Sequence, residues 1–460
     1  MSYHHNNLSD TIVALATPPG IGAIGVIRLS GTKAISICNQ YFHAKDLSKQ
    51  TSHTIHYGYI KDGDNIVDEV MVSVFKAPKS FTTENAIEIA CHGSQYIQQQ
   101  ILQLLIRKGA RLAQPGEFTM RAFLNGRIDL TQAEAVADLI ASESAASHDL
   151  AIKQMRGGFS SEIEKLRQQL LNFASLIELE LDFAEEDVEF ADRTEFTNLI
   201  NQISHVLKRL IDSFALGNVL KNGIPIAIVG EPNVGKSTLL NVLLNEEKAI
   251  VSHIAGTTRD AIEDEINIEG IAYRFIDTAG IRTTEDYVEN IGITKTYSTI
   301  EKAQLVLQLI DASNIDTLQE NITDLENKYP SKKILTIVNK ADLLNEDQII
   351  KLKNNYINLI VLSAKNKIGI EKLTNTLTHL VNKGALSNNE TIVSNSRHFE
   401  ALNNAYSSIK EVQKGIENNI STDLFAIDIR QALFHLGEIT GEVTTEDLLG
   451  NIFANFCIGK

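Results

Sequence analysis

The chain has 460 residues, of which 43% are hydrophobic and 22% charged, and its formal net charge is −16. That length exceeds what one hydrophobic core usually supports, so two or three domains are expected. The acidic excess argues against tight binding of nucleic acid by this chain alone.

The sequence shows no sign of export or membrane insertion. No apolar run reaches the roughly 18 residues of a membrane span, and the first residues lack the basic and apolar pattern of a secretory signal. Cys38, Cys91 and Cys457 are odd in number and widely spaced, which excludes a disulfide framework and any zinc-ligand spacing. We expect a cytoplasmic protein without a membrane partner.

The N-terminal region, residues 1–125, mixes short β-branched runs with turn signals. Strands are predicted at 22–30 and 68–75 and a helix at 98–107, which together indicate a small α/β domain. From about Leu130 the apolar spacing changes to three and four residues and predicts helices at 133–141 and 160–183. The acidic run at 178–195 is interpreted as a solvated helix end and loop.

Beyond Ile224 strand-like and helical segments alternate, which predicts a mostly parallel sheet with helices on both faces. The predicted strands are 224–229, 273–276, 305–310, 334–338 and 359–362. Helices return at 396–416, at 423–436 and from about 445. This order predicts an α/β domain over 221–382, inserted into a helical domain formed by 126–220 and 383–460.

A phosphate-binding loop is predicted at Gly230–Ser237 (GEPNVGKS), between a strand and a helix, where it fits G-x-x-x-x-G-K-[S/T]. Its glycines allow backbone N–H groups to approach phosphates at the positive end of the helix dipole. Lys236 is expected to reach the β- and γ-phosphates, and Ser237 is expected to bind Mg²⁺.

Three companion motifs follow in order: Asp277–Gly280 (DTAG), Asn339–Asp342 (NKAD) and Ser363–Lys365 (SAK). The first suits contacts to Mg²⁺ and the γ-phosphate. Asp342 can accept hydrogen bonds from the N1–H and exocyclic amine of guanine, and the third motif can present N–H groups to the guanine oxygen. A site built for such bonds rejects the wrong base by about 10⁴-fold, so the set predicts GTP over ATP.

The residue that orients the attacking water is not obvious. Ile281 follows the DTAG motif, where many GTPases have a water-orienting glutamine, and an aliphatic side chain cannot take that role. Glu285, Asp286 and Glu289 are the candidates downstream.

Charge on the transferred phosphoryl group must also be offset, by Arg259, by Arg282 or by a monovalent cation. Asn233 could supply a side-chain oxygen to such a cation. Residues 252–258 are predicted as the first switch, with Thr258 near Mg²⁺ and backbone carbonyls facing the cation.

These motifs resemble the translation-factor-related GTPases of the Ras-like superfamily over about residues 220–382. The predicted GTP-binding residues are Asn233, Val234, Gly235, Lys236, Ser237, Thr238, Ser252, His253, Ile254, Ala255, Gly256, Thr257, Thr258, Asp277, Thr278, Ala279, Gly280, Asn339, Lys340, Ala341, Asp342, Ser363, Ala364 and Lys365.

The segments outside this domain resemble the MnmE (TrmE) family of tRNA-modifying GTPases. They are Asp10–Gly20 (DTIVALATPPG) with Gly25–Arg28 (GVIR), Pro115–Asn125 (PGEFTMRAFLN) with Asp129–Ala135 (DLTQAEA), and Phe456–Lys460 (FCIGK). The likeness covers essentially the whole chain. It implies an N-terminal α/β folate-binding domain, a central all-helical domain and an inserted Ras-like, doubly wound GTPase domain.

The resemblance also implies a homodimer that binds 5,10-methylenetetrahydrofolate, with 5-formyltetrahydrofolate as an analogue, at the dimer interface. The matching folate-binding positions are Arg28, Glu88, Arg127 and Lys460. From the residues alone, surface ion pairs are the favoured interpretation of the two arginines. The sequence departs from the family at Arg127, where relatives often have lysine, and at Thr83, where glycine is usual.

Cys457 follows a helix whose apolar residues share one face, and it has two interpretations. By resemblance it is a catalytic residue, with Lys460 favouring its thiolate; the alternative is a buried, inert cysteine. Prenylation is not expected, because lysine is not a recognised final residue. Cys91 and His92, on a predicted strand, point to opposite faces and are interpreted as structural.

For the GTPase cycle, the resemblance implies two nucleotide domains that close on GTP, with K⁺ held by Asn233, Ser252, Ile254 and Thr257. Mg²⁺ would be held by Ser237 and Thr258. Through the segment 288–292 (VENIG), the resemblance selects Glu289 as the water-orienting catalytic residue.

The implied function is GTP-dependent modification of C5 of the wobble uridine in certain tRNAs, which adds an aminomethyl or carboxymethylaminomethyl group. The implied partner is MnmG (GidA), an FAD-containing protein that forms a heterotetramer with the homodimer. The alternative is a ribosome-assembly GTPase that does no chemistry on RNA. A dynamin-like membrane GTPase is disfavoured because the sequence has no basic amphipathic or apolar anchor.

Overall fold

The structure is a computed structural model, and it describes residues 10–182, 193–247, 264–276, 299–356, 359–382, 391–418, 422–454 and 456–459. The chain divides into two compact units. The first comprises Met1–Ala141, Ala151–Ile211 and Ser396–Lys460, and the second comprises Ser142–Leu150 and Asp212–Asn395. The second unit is thus largely an insertion between segments of the first.

The first unit contains a seven-stranded sheet in the order β3-β4-β5-β6-β2-β1-β7. All neighbours pair antiparallel except β1 and β7, which are parallel. The strands are β1 (Thr11–Leu15), β2 (Ile24–Ser30), β3 (Phe42–His43), β4 (Thr54–Asp62), β5 (Asn65–Phe75), β6 (Ala86–His92) and β7 (Ala110–Leu112). The strands predicted at 22–30 and 68–75 are confirmed as β2 and the greater part of β5.

One face of this sheet is covered by α1 (Ala34–Asn39) and α2 (Gln95–Arg107), which confirms the predicted helix at 98–107. Ile101, Leu104 and Leu105 of α2 follow the three- and four-residue spacing of a helix face and are buried against the sheet. Within the described ranges, the opposite face is covered near β1 by Phe118 of α3 (Glu117–Leu124), whereas Tyr57 of β4 and Met71 of β5 on the same face are exposed. We call this exposed part the open face.

The rest of the first unit is helical. The helix α6 (Gly158–Asp182) buries Ile163, Leu166, Leu170 and Phe173 at the alternating three- and four-residue spacing that predicted it. The predicted helices at 133–141, 160–183, 396–416, 423–436 and from 445 are confirmed with small changes at their ends. The described helices of this region are α4 (Leu130–Ala141), α5 (Ala145–Met155), α6 (Gly158–Asp182), α7 (Arg193–Asn222), α12 (Ser396–Glu417), α13 (Thr422–Thr440) and α14 (Glu446–Ala454), of which α5 and α7 were not predicted.

The second unit is built on a six-stranded sheet in the order β13-β12-β11-β8-β10-β9. All pairs are parallel except β9 with β10. The strands are β8 (Ile224–Val229), β9 (Asp264–Ile268), β10 (Ile271–Phe275), β11 (Leu305–Asp311), β12 (Lys333–Asn339) and β13 (Ile360–Val361). The helices are α8 (Lys236–Glu247), α9 (Leu318–Lys328), α10 (Glu346–Asn355) and α11 (Ile370–Asn382).

Burial on both faces explains why the strands of this sheet are continuous apolar runs. In β11, Leu305 and Leu307 pack into the main core, whereas Val306 between them packs into a second cluster with Ile300. Such runs are typical of a parallel sheet covered on both sides by helices. The predicted doubly wound domain is therefore confirmed.

The antiparallel strand β9 was not predicted from the sequence. It joins β10 through Glu269 and Gly270, whose φ angles of +50° and +82° both lie in the left-handed region. A two-residue turn of this kind matches the twist of a hairpin, and glycine is favoured within it. The Glu-Gly pair was the sequence signal available for this hairpin turn.

A buried ion triad joins α4 to the start of α12 within the first unit. Arg397 donates to both carboxylate oxygens of Glu134, at 2.9 and 2.8 Å, and His398 Nε2 lies 2.7 Å from the same group. Arg397 also donates to the backbone oxygens of Glu438 and Ile439 at the end of α13. Burial alone would raise the pKa of Glu134, but these two cations lower it to about 2.

Glu134→Gln should lower the free energy of unfolding by about 3 kcal/mol at pH 7, because it leaves buried cations without their counter-charge. The depressed pKa of Glu134 stabilises the fold above about pH 4.5, and this contribution is lost as the pH falls towards 2. Urea unfolding followed by circular dichroism at pH 7 and pH 3 measures both effects. Glu400→Gln, at an exposed position of α12, is the control; equal stability of the two variants at pH 7 would contradict the prediction.

No helix among the residues that the structure describes is long and apolar enough to span a membrane.

Candidate functional site

The predicted phosphate-binding loop connects β8 to α8, and Lys236 is the first residue of that helix. Gly230 and Gly235 have φ angles of +152° and +96°. A Cβ atom at Gly235 would lie 2.3 Å from Asn339 Nδ2, and one at Gly230 would lie 2.3 Å from a carbonyl oxygen of β11. Both glycines are therefore required by close contacts as well as by backbone conformation.

Lys236 folds back over this loop. Its ammonium donates hydrogen bonds to the carbonyl oxygens of Gly230 and Glu231, at 2.7 and 2.8 Å. Burial lowers the pKa of Lys236. A phosphate beside this group would favour the charged ammonium that burial disfavours, so lysine and phosphate would stabilise each other.

Asn339 ties three predicted nucleotide-binding loops together. Its side chain is buried, donates through Nδ2 to Val234 O at 2.8 Å, and accepts from Ala364 N at 2.9 Å. The first bond reaches the phosphate loop and the second reaches the SAK motif. The structure thus brings the phosphate loop, the NKAD motif and the SAK motif to one edge of the sheet, where the parallel strands end.

Asp342 is held as a hydrogen-bond acceptor. Its Oδ1 accepts from Ser363 Oγ at 2.5 Å, and this bond lowers the pKa of Asp342. The backbone around it is fixed by a hydrogen bond from Ala341 N to Leu362 O at 3.0 Å. An ionised carboxylate is what recognition of the guanine N1–H and amine requires.

The structure adds Asp311, which the sequence analysis missed. Lys340, at a left-handed φ of +62°, places Nζ 2.6 Å from Asp311 Oδ2. The other oxygen, Oδ1, accepts from Ser313 N and Oγ, at 2.9 and 2.8 Å. Burial alone would raise the pKa of Asp311, but the bonds from Lys340 and Ser313 lower it. The signal available was an Asp-x-Ser pattern directly after a strand, which caps a helical turn.

The same turn reaches the phosphate loop. It is the short 3₁₀ helix Ala312–Thr317, and within it Asn314 Nδ2 donates to Glu231 Oε2 at 3.2 Å. Asp311 therefore connects the guanine-binding loop to the phosphate-binding loop by a second route besides Asn339.

Half of the predicted nucleotide site lies outside the described residues. This applies to the first switch at 252–258, the DTAG motif at 277–280, the alternatives Arg259, Arg282, Glu285 and Asp286, and the catalytic candidate Glu289. Within the described part of the chain, no group of three or more His, Cys, Asp or Glu residues could hold a metal ion. Of the two predicted Mg²⁺ ligands, Ser237 is among the described residues and Thr258 lies outside them.

The predicted folate-binding pair is adjacent across β2 and β6. Arg28 donates to Glu88 Oε1 through Nε at 2.9 Å and lies 2.8 Å from it through Nη2. Its Nη1 donates to Gly459 O at 3.2 Å, and its guanidinium lies 5.7 Å from the centre of the Phe118 ring. Both side chains are partly exposed, so solvent reaches the pair even though Phe118 covers this end of the sheet.

Arg127 lies against the turn that precedes β6. It donates to Ser80 O, and its guanidinium is 5.3 Å from the centre of the Phe81 ring. Phe81 packs against the same apolar cluster as Phe118, so the two arginines stack on neighbouring rings. Thr83, where the family usually has glycine, keeps a glycine-like φ of +62°. The expected departure at this turn is therefore one of residue type rather than of backbone conformation.

The segment 456–459 is fixed to the N-terminal sheet region. Ile458 forms a bridge with Pro115, and Cys457 O accepts from Gly116 N at 3.3 Å. The Cys457 thiol is exposed, so the alternative of a buried, inert cysteine is wrong. The predicted apolar face of the preceding helix is confirmed, because Leu449 and Phe453 are buried. Lys460 lies outside the described residues.

A buried charge network, also missed from the sequence, supports the turn beside Arg127. Arg121 of α3 is 1% exposed and binds Asp10 at 2.5 Å, Glu117 at 3.0 Å and Glu84 at 3.2 Å. Glu84 also accepts from Ser30 Oγ at 2.6 Å. The network links the first strand, α3 and the 80–85 turn. No sequence periodicity signals contacts between such distant positions.

Comparison with known proteins agrees with this arrangement. The family model described as the MnmE helical domain matches residues 130–457, and the model described as the GTP-binding protein TrmE N-terminus matches residues 11–127. A tRNA modification GTPase MnmE from Flavobacterium johnsoniae is 63% identical and covers 98% of this chain and 99% of its own length. The one from Bacteroides fragilis is 52% identical with the same coverage.

The chain belongs to the MnmE family of tRNA modification GTPases.

As an MnmE-family GTPase, the chain has its predicted guanine-binding motifs in the second unit, and the TrmE N-terminus coincides with the seven-stranded sheet and α3. Among solved structures, the FeoB G-domain from Methanococcus jannaschii is 27% identical, with a TM-score of 0.24. It covers 34% of this chain and 97% of its own. The family assignment does not depend on this likeness.

Asp311→Asn should weaken GDP binding about tenfold, because Lys340 loses a charged partner that holds it at the guanine-binding loop. The amide oxygen still caps Ser313, so the turn itself should persist. Titration with a fluorescent GDP analogue measures the dissociation constant. Asp316→Asn, at an exposed position of the same turn, is the matched control; an unchanged dissociation constant for Asp311→Asn would remove this residue from the site.

Proposed function

We propose that this chain hydrolyses GTP to drive modification of C5 of the wobble uridine in certain tRNAs. The product would carry an aminomethyl or carboxymethylaminomethyl group whose one-carbon unit comes from 5,10-methylenetetrahydrofolate. The observation that carries the proposal is the presence, on one chain, of a guanine-specific nucleotide site and a separate Arg28–Glu88 site to which the Cys457 segment is attached. We propose the cytoplasm as the site of the reaction.

In the nucleotide site, we assign phosphate binding to Lys236 and the guanine contact to Asp342. Mg²⁺ would bind Ser237 and Thr258. Glu289 is proposed to orient the attacking water in place of the glutamine found in many relatives.

For K⁺ we propose four ligands: Asn233, Ser252, Ile254 and Thr257. Asn233 is the described member of this set, and its φ of +61° belongs to the loop that curves around the phosphate position. Oxygen donors of this kind suit a hard monovalent cation, and the cation would offset the charge on the transferred phosphoryl group.

The residues present fit a reduced folate. Glu88 offers a partly exposed carboxylate to the N–H edge of a pterin, and arginines offer bidentate bonds to the carboxylates of a glutamate tail. The contacts of Arg28 with Phe118 and of Arg127 with Phe81 orient both planar guanidinium groups. We assign folate binding to Arg28, Glu88, Arg127 and Lys460. When bound, the folate supplies the one-carbon unit.

Cys457 is proposed as a catalytic residue because its thiol is exposed on the segment that also contacts Arg28 through Gly459. The backbone of that segment is fixed, since a Cβ at Gly459 would lie 2.4 Å from Leu15 O. The thiol is therefore attached to the N-terminal sheet and not to a free tail.

We propose that the chain forms a homodimer through the open face of the N-terminal sheet. Across this face the register aligns Tyr57, Met71, Ala90 and Val26 in one row over four strands. Met71 is 51% exposed, Tyr57 is 59% exposed and Ile24, in the next row, is 65% exposed. A continuous apolar row of this kind on a sheet is typical of an interaction surface.

Met71→Asp should convert the dimer to a monomer, because a two-fold interface would bring two carboxylates together in an apolar contact. Sedimentation velocity over a concentration series measures the change, with at least a hundredfold weaker association expected. Leu112→Asp is the matched control, since Leu112 is 55% exposed on β7 at the far edge of the same sheet. Dimers of the Met71 variant at the concentrations where the unmodified chain dimerises would refute this surface.

The partner we propose is MnmG, which contributes FAD and forms a heterotetramer with the homodimer. A net charge of −16 makes phosphate neutralisation by this chain weak. The partner would therefore supply most of the basic surface that holds the tRNA.

The deciding experiment is mass spectrometry of nucleosides from bulk tRNA of cells depleted of this protein. Carboxymethylaminomethyl-type uridines should disappear, and the unmodified gene should restore them. Lys236→Ala should not restore them, because the phosphate loop loses its cation, whereas the exposed Lys372→Ala should.

An unchanged nucleoside profile would exclude the proposed chemistry. The remaining interpretation would be a ribosome-assembly switch, for which the nucleotide site alone suffices. Association with ribosomal subunits in a gradient would then be the measurement to make.

A further inference from the structure

His92 at the end of β6 is exposed yet firmly held. Its ring Nδ1 lies 2.7 Å from Asp68 Oδ1, and its backbone N donates to Asp68 Oδ2 at 2.8 Å. The His92 side chain is 67% exposed, whereas that of Asp68 is 7% exposed. A carboxylate accepting at Nδ1 requires the proton there, so Nε2 is the ring nitrogen that faces outward.

His92 extends from the same open face as the proposed folate site, whereas Asp68 has the alternation of the buried Val70 and Val72 and belongs to the covered side. The β2–β6 register pairs Arg28 with Glu88, Val26 with Ala90 and Ile24 with His92. Directly opposite residues of antiparallel strands share a face, and so do residues two apart along each strand. Glu88, Ala90 and His92 therefore project from the same side of β6.

Between its two polar ends this part of the face is apolar. Val26 and Ala90 form the middle row, and Met71 extends it on β5. Glu88 and His92 are four residues apart on an extended strand, or about 13 Å. A pterin ring that met Glu88 with its N–H edge and extended along the strand over this apolar row would bring its one-carbon-bearing nitrogens close to His92.

We propose that His92, positioned by Asp68, forms the second polar end of the folate site and contacts the ligand at its N10 end. This inference rests on the proposed folate function. The Asp68 carboxylate fixes the ring orientation through two bonds, so the imidazole enters the contact with little loss of side-chain freedom.

A structural role for His92 accounts for its bonds to Asp68 but not for an exposed ring that presents Nε2 outward. The backbone N–H of His92 is already satisfied by Asp68, and the strand pairing needs no side chain at this position. Its neighbour Cys91 fits the structural interpretation, because it is buried, donates from Sγ to Gly25 O at 3.3 Å, and has a pKa raised to about 11 by burial. The two neighbours thus have different roles.

The test uses the full-length chain and isothermal titration with two probes, 5-formyltetrahydrofolate and 6-methyltetrahydropterin, which lacks the N10 end. His92→Asn keeps a side-chain N–H for Asp68 and removes Nε2. It should weaken binding of the folate about tenfold, as for one lost hydrogen bond, and leave binding of the pterin unchanged. Glu88→Gln should weaken both probes. His43→Asn, an exposed histidine on β3, is the matched control.

A second readout does not depend on any variant. With the unmodified chain, the ¹⁵N signal of His92 Nε2 should shift on addition of 5-formyltetrahydrofolate and stay in place on addition of the pterin. Equal folate affinity for His92→Asn and the unmodified chain, or an unmoved Nε2 signal at saturation, would overturn the inference and leave the folate site standing. Failure of the unmodified chain to bind the folate at all would overturn the folate site itself, and the inference with it.

Discussion

The helical part of the first unit depends on one buried carboxylate. Glu134 and Arg397 are 263 positions apart in sequence, and the whole second unit lies between them. A purely apolar contact could bring α4 and α12 together in several registers, whereas a carboxylate that must satisfy Arg397 and His398 together accepts one. The triad therefore specifies where the chain returns to the first unit after the insertion. An inserted domain of this size is compatible with a single fold only if that return point is unambiguous.

The strands and the nucleotide motifs were predictable because their signals are local. A continuous apolar run such as Ile224–Val229 must be buried on both faces. At the glycines of the loop that follows it, no other residue type fits. Asn339 and Ala364 were expected to meet because both follow strands of one parallel sheet. What the motif did not reveal is that Asn339 binds the loop at Val234 directly, so the three loops form one connected structure.

The missed features share a physical cause, which is that each depends on a contact between distant positions. Asp311 meets Lys340 only because β11 and β12 are neighbours in register. Arg121 joins Asp10, Glu84 and Glu117, and only Glu117 stands at a helical spacing from it. Strand β9 is short, and the alternation of its two buried isoleucines, Ile266 and Ile268, covers too few residues to mark a strand. The composition of the chain does not predict these contacts, because they form only when distant segments pair in the folded protein.

The open sheet face connects the proposed dimer with the proposed folate site in one energetic argument. A single copy leaves Tyr57, Met71 and Ile24 in water, and a flat ligand resting on Val26 and Ala90 would leave one of its ring faces in water as well. A second copy would remove apolar surface from solvent in both places, and each Å² buried would stabilise the assembly by about 25 cal/mol. If both proposals hold, linkage requires that the folate strengthens the dimer by the factor by which the dimer strengthens folate binding. The polar pairs at the two ends, Arg28–Glu88 and Asp68–His92, would then fix orientation, while the apolar centre supplies most of the affinity.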